Sequence, residues 1–164
     1  MYSEHSIDQL TQIVDGLFTG QKLRTSLSLI TNHLTDVTGA ERCSIFIYNE
    51  NDRSLITMLA TGIEKIEVST GKGIVGYVFR SKDSIIENDV VNNPYFLGDI
   101  DKQSGYTTDN IAACPIYDSR KKCIGVLELL NKPNGFEESE LTFIKVFSNY
   151  IGSVLELAPF YLNR

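Results

Sequence analysis

Tryptophan is absent from the 164 residues, and cysteine and histidine are scarce, with three and two residues respectively. The cysteines are odd in number and form no CxxC motif, so we expect free thiols and a reducing, cytoplasmic environment rather than a disulfide framework. Both histidines, His5 and His33, lie near the N-terminus. Catalysis or metal binding that needs a histidine in the main domain is therefore not expected, and we expect no metal site and no cofactor.

Basic residues and long apolar runs are also in short supply. The 15 lysines and arginines face 21 acidic residues, which gives a net charge of −6. This balance argues against nucleic-acid binding and against docking on anionic membranes. No apolar run approaches the ~20 residues of a membrane-spanning helix, and the first residues lack the features of a signal peptide. A small anionic ligand stays compatible, because backbone N–H groups at a helix N-terminus bind anions without net basic charge.

The length predicts one globular domain and a flanking segment. We divide the chain into a linker or dimerisation helix at 1–22, a main domain at 23–158, and a tail or the start of a linker at 159–164. Apolar residues recur at helical spacing in two stripes. The first stripe is Ile7, Leu10, Ile13, Val14 and Leu17, and the second is Leu23, Leu27, Ile30, Leu34 and Val37. The first stripe either packs on its own domain or forms a seam with a second copy.

After Gly39, a helix C-cap signal, the pattern changes to strands. Strands are predicted at 42–48, 54–60, 66–68, 84–87, 110–117 and 123–131, with a short helix after Gly73 and an amphipathic helix from Glu137. This order predicts an α+β fold, in which an antiparallel sheet carries the N- and C-terminal helices on one face. The short helix and the polar stretch at 88–108 would form a lid over a pocket on the other face.

Glu128 is the most unusual residue of the predicted sheet. It shares a strand face with Val126 and Leu130, and an inward carboxylate is costly unless it is paired or meets a ligand. The alternative is an edge position that is open to water, or a local salt bridge. The glycine-rich run at 71–76 is a second candidate, because its backbone could approach an anion closely, although the bare pattern favours an ordinary glycine-rich turn.

Several motifs, in this order along the chain, resemble those of GAF domains. They are residues 40–46 (AERCSIF), 73–78 (GIVGYV), 93–96 (NPYF), 104–111 (SGYTTDNI) and 125–132 (GVLELLNK). The resemblance spans roughly 23–157 and is strongest to the cyclic-nucleotide-binding regulatory GAF domains of phosphodiesterases and cyanobacterial adenylyl cyclases. It implies a GAF/PAS-like fold with a nucleotide pocket between the sheet and its cover.

The resemblance also implies which residues bind the ligand. Ser44 corresponds to the serine beside the purine, and Ile74 and Val75 to the amides that meet the cyclic phosphate. The other implied positions are Ala60 and Thr61 at the purine, Asp101, Ser104 and Thr108 in the lid, and the inward acid Glu128. Ala60 and Thr61 replace an aromatic residue and an aspartate, so the implied consequence is weaker binding, an altered base preference or loss of binding.

A further motif is implied to stabilise the pocket rather than to touch the ligand. It consists of Asn131, Lys132, Phe136 and Glu140. Glu140 stands where the family has an aspartate, so an ion pair with Lys132 is still expected.

The leading hypothesis is a non-catalytic sensory module that binds cyclic AMP or cyclic GMP and signals through its terminal helices to an output domain. We also expect a homodimer formed through these helices. One alternative is a GAF domain that binds no ligand and only dimerises. A remote alternative is a GAF-type methionine sulfoxide reductase, which the cysteines alone motivate.

Overall fold

The computed structural model describes residues 20–60, 65–98 and 105–156, with only the backbone described at 20–22 and 59–60. The first predicted stripe, Ile7 to Leu17, lies outside these residues. The elements in chain order are α1 (Gly20–Thr38), β1 (Arg42–Asn49), β2 (Ser54–Ala60), β3 (Glu67–Ser69), α2 (Gly73–Ser81), β4 (Ile85–Glu87), a 3-10 turn (Val90–Asn92), β5 (Ile111–Tyr117), β6 (Cys123–Leu130) and α3 (Glu138–Glu156).

The strands form one six-stranded sheet in the order β3-β2-β1-β6-β5-β4, and every neighbouring pair is antiparallel. The predicted α+β class is confirmed. The predicted strand ends at Asn110 and Asn131 are wrong, because both residues lie just beyond the strands. The backbone N of Asn131 still donates to the Asn110 carbonyl at 3.0 Å. Beyond it the Asn110 side chain takes over, accepting from the backbone N of Lys132 at 2.8 Å and donating to its carbonyl at 3.0 Å.

Helices α1 and α3 cover one face of the sheet and enclose the larger core. The second predicted stripe is buried as expected at Leu23, Leu27, Ile30 and Leu34. The predicted burial is wrong for the last member of the stripe, Val37, which is 54% exposed. Thr38 takes the inward place, and its hydroxyl donates to the Leu34 carbonyl at 2.6 Å. Gly39 ends the helix with φ +76, the left-handed geometry that its C-cap signal predicts.

Helix α3 lies unusually close to β5 because small residues face the strand. The buried Ser148 hydroxyl donates to the Pro115 carbonyl at 2.6 Å. A Cβ on Gly152 would stand only 2.0 Å from the Tyr117 carbonyl oxygen. One turn further on, the Glu156 carboxylate accepts from the backbone N of Ser119 at 3.0 Å. The helix is therefore fixed to the strand along its second half.

The opposite face carries α2 and a second, smaller core. The sheet contributes Phe46 and Val126, and the helix contributes Ile74, Val75 and Val78. Strand alternation decides which residues reach this face. This layer places the first turn of α2 against the middle of the sheet.

Candidate functional site

A cavity of about 70 Å³ lies between the sheet and the beginning of α2. Its polar lining residues include Ser44, Thr108 and Glu128, and its other lining residues are Phe46, Ile66, Val68, Gly73, Ile74, Val75, Phe96, Leu97, Tyr106, Ile111 and Leu130. The structure thus brings together five of the residues that the resemblance implies, from four separate parts of the chain.

The floor of the cavity is set by strand register. Ser44 on β1 pairs with Glu128 on β6, which pairs in turn with Ala113 on β5. Glu128 is only 9% exposed. The edge-strand alternative for this residue is wrong, because β6 lies between β1 and β5. As a lining residue of the cavity, the Glu128 carboxylate is a hydrogen-bond acceptor suited to a ligand that offers N–H donors.

The N-terminus of α2 forms one wall. Lys72 precedes the helix and makes no side-chain cap, so the N–H groups of the first turn are not satisfied in that way. Glycine is required twice here. Gly73 has φ +74, and a Cβ on Gly76 would lie 2.9 Å from the Thr70 carbonyl oxygen. The wall at Ile74 and Val75 thereby combines a helix N-terminus with close backbone packing, an arrangement suited to an anion.

An asparagine holds the cover of the cavity to the end of β6. Asn131 has φ +55. Its side-chain oxygen accepts from the backbone N of Asp109 at 2.7 Å, and its side-chain nitrogen donates to the Thr107 carbonyl at 2.7 Å. Thr108, between these two residues, is thereby placed against the cavity.

The remaining motif residues extend this frame. Lys132 Nζ lies 2.7 Å from Glu140 Oε1, so the expected ion pair is formed. Phe136 is buried, and its backbone N and O both bond to the Asn88 side chain, at 2.9 Å and 3.0 Å. Sequence reasoning missed Asn88 and the similar role of Asn110. Asparagines directly beside predicted strand ends were the available signal, because this side chain can imitate a backbone partner.

The cavity is much smaller than the expected pocket. Ligand pockets usually span ~300–1,000 Å³, and even an engineered cavity that binds benzene measures ~150 Å³. The side chains of Phe96, Leu97 and Tyr106, from the covering segments, line this small space. These residues were not among the predicted site residues. In this conformation the cavity does not accommodate a nucleotide.

Four implied ligand residues cannot be placed in the cavity. The backbone of Ala60 pairs with Ser44, but its side chain lies outside the description. Thr61, Asp101 and Ser104 lie outside the described residues altogether. Their roles stay predictions.

The cysteines lie apart from the cavity. Cys43 and Cys114 belong to the core under α1 and α3, and Cys123 is also buried. Burial raises the pKa of all three thiols, and the charge of Glu128 raises that of Cys43 further. Thiolates are the reactive form, so no described cysteine is arranged for chemistry in the cavity.

Among the described residues, no helix combines the length and the apolar character needed to cross a membrane. The same residues hold no group of three or more His, Cys, Asp or Glu side chains suited to a metal ion.

Comparisons with known proteins show the family and the fold of the chain. A sequence model of the GAF domain matches residues 22–155. Residues of this chain are 31% identical over 129 positions to the dual 3′,5′-cyclic-AMP and -GMP phosphodiesterase 11 of Drosophila melanogaster. The match covers 78% of this chain but only 9% of that protein, so the chain spans less than a tenth of the length of this relative.

Solved structures share the fold at low identity. The GAF domain of an Acinetobacter phosphoenolpyruvate-protein phosphotransferase has a TM-score of 0.76 at 21% identity, with 99% of this chain and 100% of that chain covered. The corresponding domain from Coxiella burnetii gives 0.79 at 20%, covering 94% and 95%. A free methionine-R-sulfoxide reductase from Neisseria meningitidis gives 0.75 at 14%, covering 98% and 96%. At these identities the likeness concerns the fold alone.

Proposed function

Because the chain belongs to the GAF domain family, we propose that it is a non-catalytic regulatory module that binds cyclic AMP or cyclic GMP and signals through α1 and α3. The observation that carries the proposal is the meeting of Ser44, Glu128 and Thr108 with the N-terminus of α2 around one cavity. The similarity to a phosphodiesterase that acts on both nucleotides supports the same ligand class.

The chemistry of the walls suits the two ends of a cyclic nucleotide. The amides of Ile74 and Val75 would bind the cyclic phosphate, where the helix dipole favours negative charge. The Glu128 carboxylate would accept from the N–H groups of the purine, with Ser44 beside it. The apolar lining would cover the ring and the ribose.

Binding requires the cover to move outward, because about 70 Å³ does not hold a nucleotide. A protein that must first open has its affinity reduced by the fraction of molecules that are open. The ligand then shifts the population toward the conformation that it fits. A regulatory domain uses this shift as its signal.

Calorimetry of the full chain, refolded after unfolding to remove carried nucleotide, tests the proposal. Heat of binding is expected with at least one of the two nucleotides. Glu128→Gln keeps the size of the side chain but removes its charge and replaces one acceptor oxygen by an NH2 donor, so we expect roughly tenfold weaker binding. Glu67→Gln, on an exposed position of β3, is the matched control and should bind like the parent. No heat with either nucleotide at millimolar concentration contradicts the proposal.

A second candidate is a GAF domain that acts only through its helices as an interaction module. The small cavity and the inward side chains of Phe96, Leu97 and Tyr106 favour it. Absence of binding heat in a protein that is dimeric both with and without nucleotide would establish this candidate.

The buried cysteines support a non-catalytic role. A sulfoxide reductase needs an accessible attacking thiol, whereas Cys43 and Cys114 face the helix-side core. Free thiols also agree with our proposal of a cytoplasmic location.

A further inference from the structure

The Tyr106 side chain lines one end of the cavity and is held there by Glu41 and Arg42, at the beginning of β1. Its hydroxyl donates to Glu41 Oε2 at 2.9 Å. The guanidinium carbon of Arg42 lies 3.6 Å from the centre of its ring, which is the geometry of a cation–π contact. Burial and the Glu41 carboxylate raise the pKa of the phenol, so it stays a protonated donor at physiological pH.

Strand register shows which end is closed. Arg42 pairs with Leu130, and Leu130 pairs with Ile111. This row lies next to the row of Ser44 and Glu128, one side-chain repeat along the sheet. The Tyr106 ring over Arg42 therefore stands directly beside the polar floor of the cavity.

We propose that Tyr106, Glu41 and Arg42 form a latch that keeps the cavity closed, and that ligand is admitted when the Tyr106 ring leaves this position. The identity of the ligand rests on the proposed function, whereas the latch itself rests on contacts within the chain. Tyr106 thus limits how large a ligand can bind beside Glu128 and how fast that ligand associates.

Two features of the latch allow its contacts to break. Tyr106 is only partly buried and Glu41 is exposed, so water can replace their hydrogen bond. Arg42 Nη1 is a buried nitrogen with no hydrogen-bond partner among the described residues, which is an unfavourable feature of the closed arrangement. Both features reduce the cost of opening.

The latch lies close to the end of α1 along the chain. Glu41 follows the cap residue Gly39 closely, and its backbone N donates to the Leu130 carbonyl at 3.0 Å. We therefore expect loss of the Tyr106 contact to alter the connection between α1 and β1. This gives a physical route from the cavity to a terminal helix.

Amide hydrogen exchange of the full chain, measured by NMR without added nucleotide, tests the latch. The reporter is the Asp109 amide, which bonds to Asn131, and Val126 in β6 reports global unfolding. Tyr106→Phe removes the phenol hydrogen bond and should accelerate Asp109 exchange roughly three- to tenfold, with Val126 unchanged. Tyr117→Phe removes a similar bond, to the Lys82 carbonyl at 3.3 Å, away from the cavity. It should leave Asp109 unaffected.

Stopped-flow binding of methylanthraniloyl cyclic AMP and cyclic GMP separates the latch from the proposed function. The association rate with Tyr106→Phe should rise by the same factor as Asp109 exchange. Faster exchange without nucleotide binding by either protein keeps the latch and removes the proposed ligand. Unchanged exchange overturns the latch, and faster exchange with an unchanged association rate overturns its role in admitting ligand.

Discussion

At the scale of single residues, Asn131 has several structural roles at once. Its side chain satisfies the Asp109 amide and the Thr107 carbonyl, and its backbone has φ +55. A backbone of this kind normally favours glycine or asparagine. The residue therefore combines a conformation that few residues tolerate with bonds that few side chains can make.

Asn131→Ala should lower the free energy of unfolding by about 2–4 kcal/mol, since it leaves backbone polar groups unpaired and strains the left-handed backbone. Urea unfolding measures the loss.

Asn134→Ala is the matched control, because Asn134 has φ +67 but is exposed. It should lose about 1 kcal/mol, the backbone part alone. Equal losses in the two variants would show that the Asn131 side-chain bonds contribute nothing measurable.

At the scale of elements, the spacing of apolar residues predicted which helix and strand faces are buried in the fold. The stripe through Leu27 and Leu34 and the placement of Glu128 follow from helical and strand periods, and the structure bears out both burials. Where a side chain bonds to the backbone, periodicity misleads, as Val37 and Asn110 show. The size of the cavity could not be predicted, because Leu97 and Tyr106 come from segments without any period that fixes which way a side chain points.

The contact between α3 and β5 gives a prediction for a whole element. Gly152→Ala improves intrinsic helix propensity by about 1 kcal/mol, yet its Cβ would lie 2.0 Å from the Tyr117 carbonyl oxygen. Because a helix cannot yield locally, α3 has to move away from the strand, and we expect a net loss of about 1–3 kcal/mol in thermal or urea unfolding.

Ser153→Ala, one residue further on and exposed, provides the comparison on the same helix. It should change stability by no more than ~0.5 kcal/mol. A Gly152→Ala protein as stable as the parent would mean that α3 is not fixed to β5 in solution, and α3 would then be a poor carrier of a signal from the sheet.

At the scale of the whole molecule, signalling depends on what α1 and α3 contact outside the domain. Both helices lie on the face away from the cavity, and each exposes a valine, Val37 at 54% and Val146 at 61%. Preceding α1 is the stripe from Ile7 to Leu17, for which the sequence leaves two partners open. Its partner decides whether a ligand-driven shift acts within one chain or between two.

Leu10→Asp combined with Ile13→Asp distinguishes the two partners. If the stripe forms a seam between copies, light scattering should show a dimer of the 18.4 kDa chain becoming a monomer, because the buried charges oppose association. If the stripe packs on its own domain, the mass stays the same and the free energy of unfolding falls. Gln9→Asp with Gln12→Asp adds the same charge off the stripe and should change neither quantity. A parent chain that is monomeric at all concentrations contradicts the homodimer, and signalling would then have to pass through α1 and α3 of a single chain.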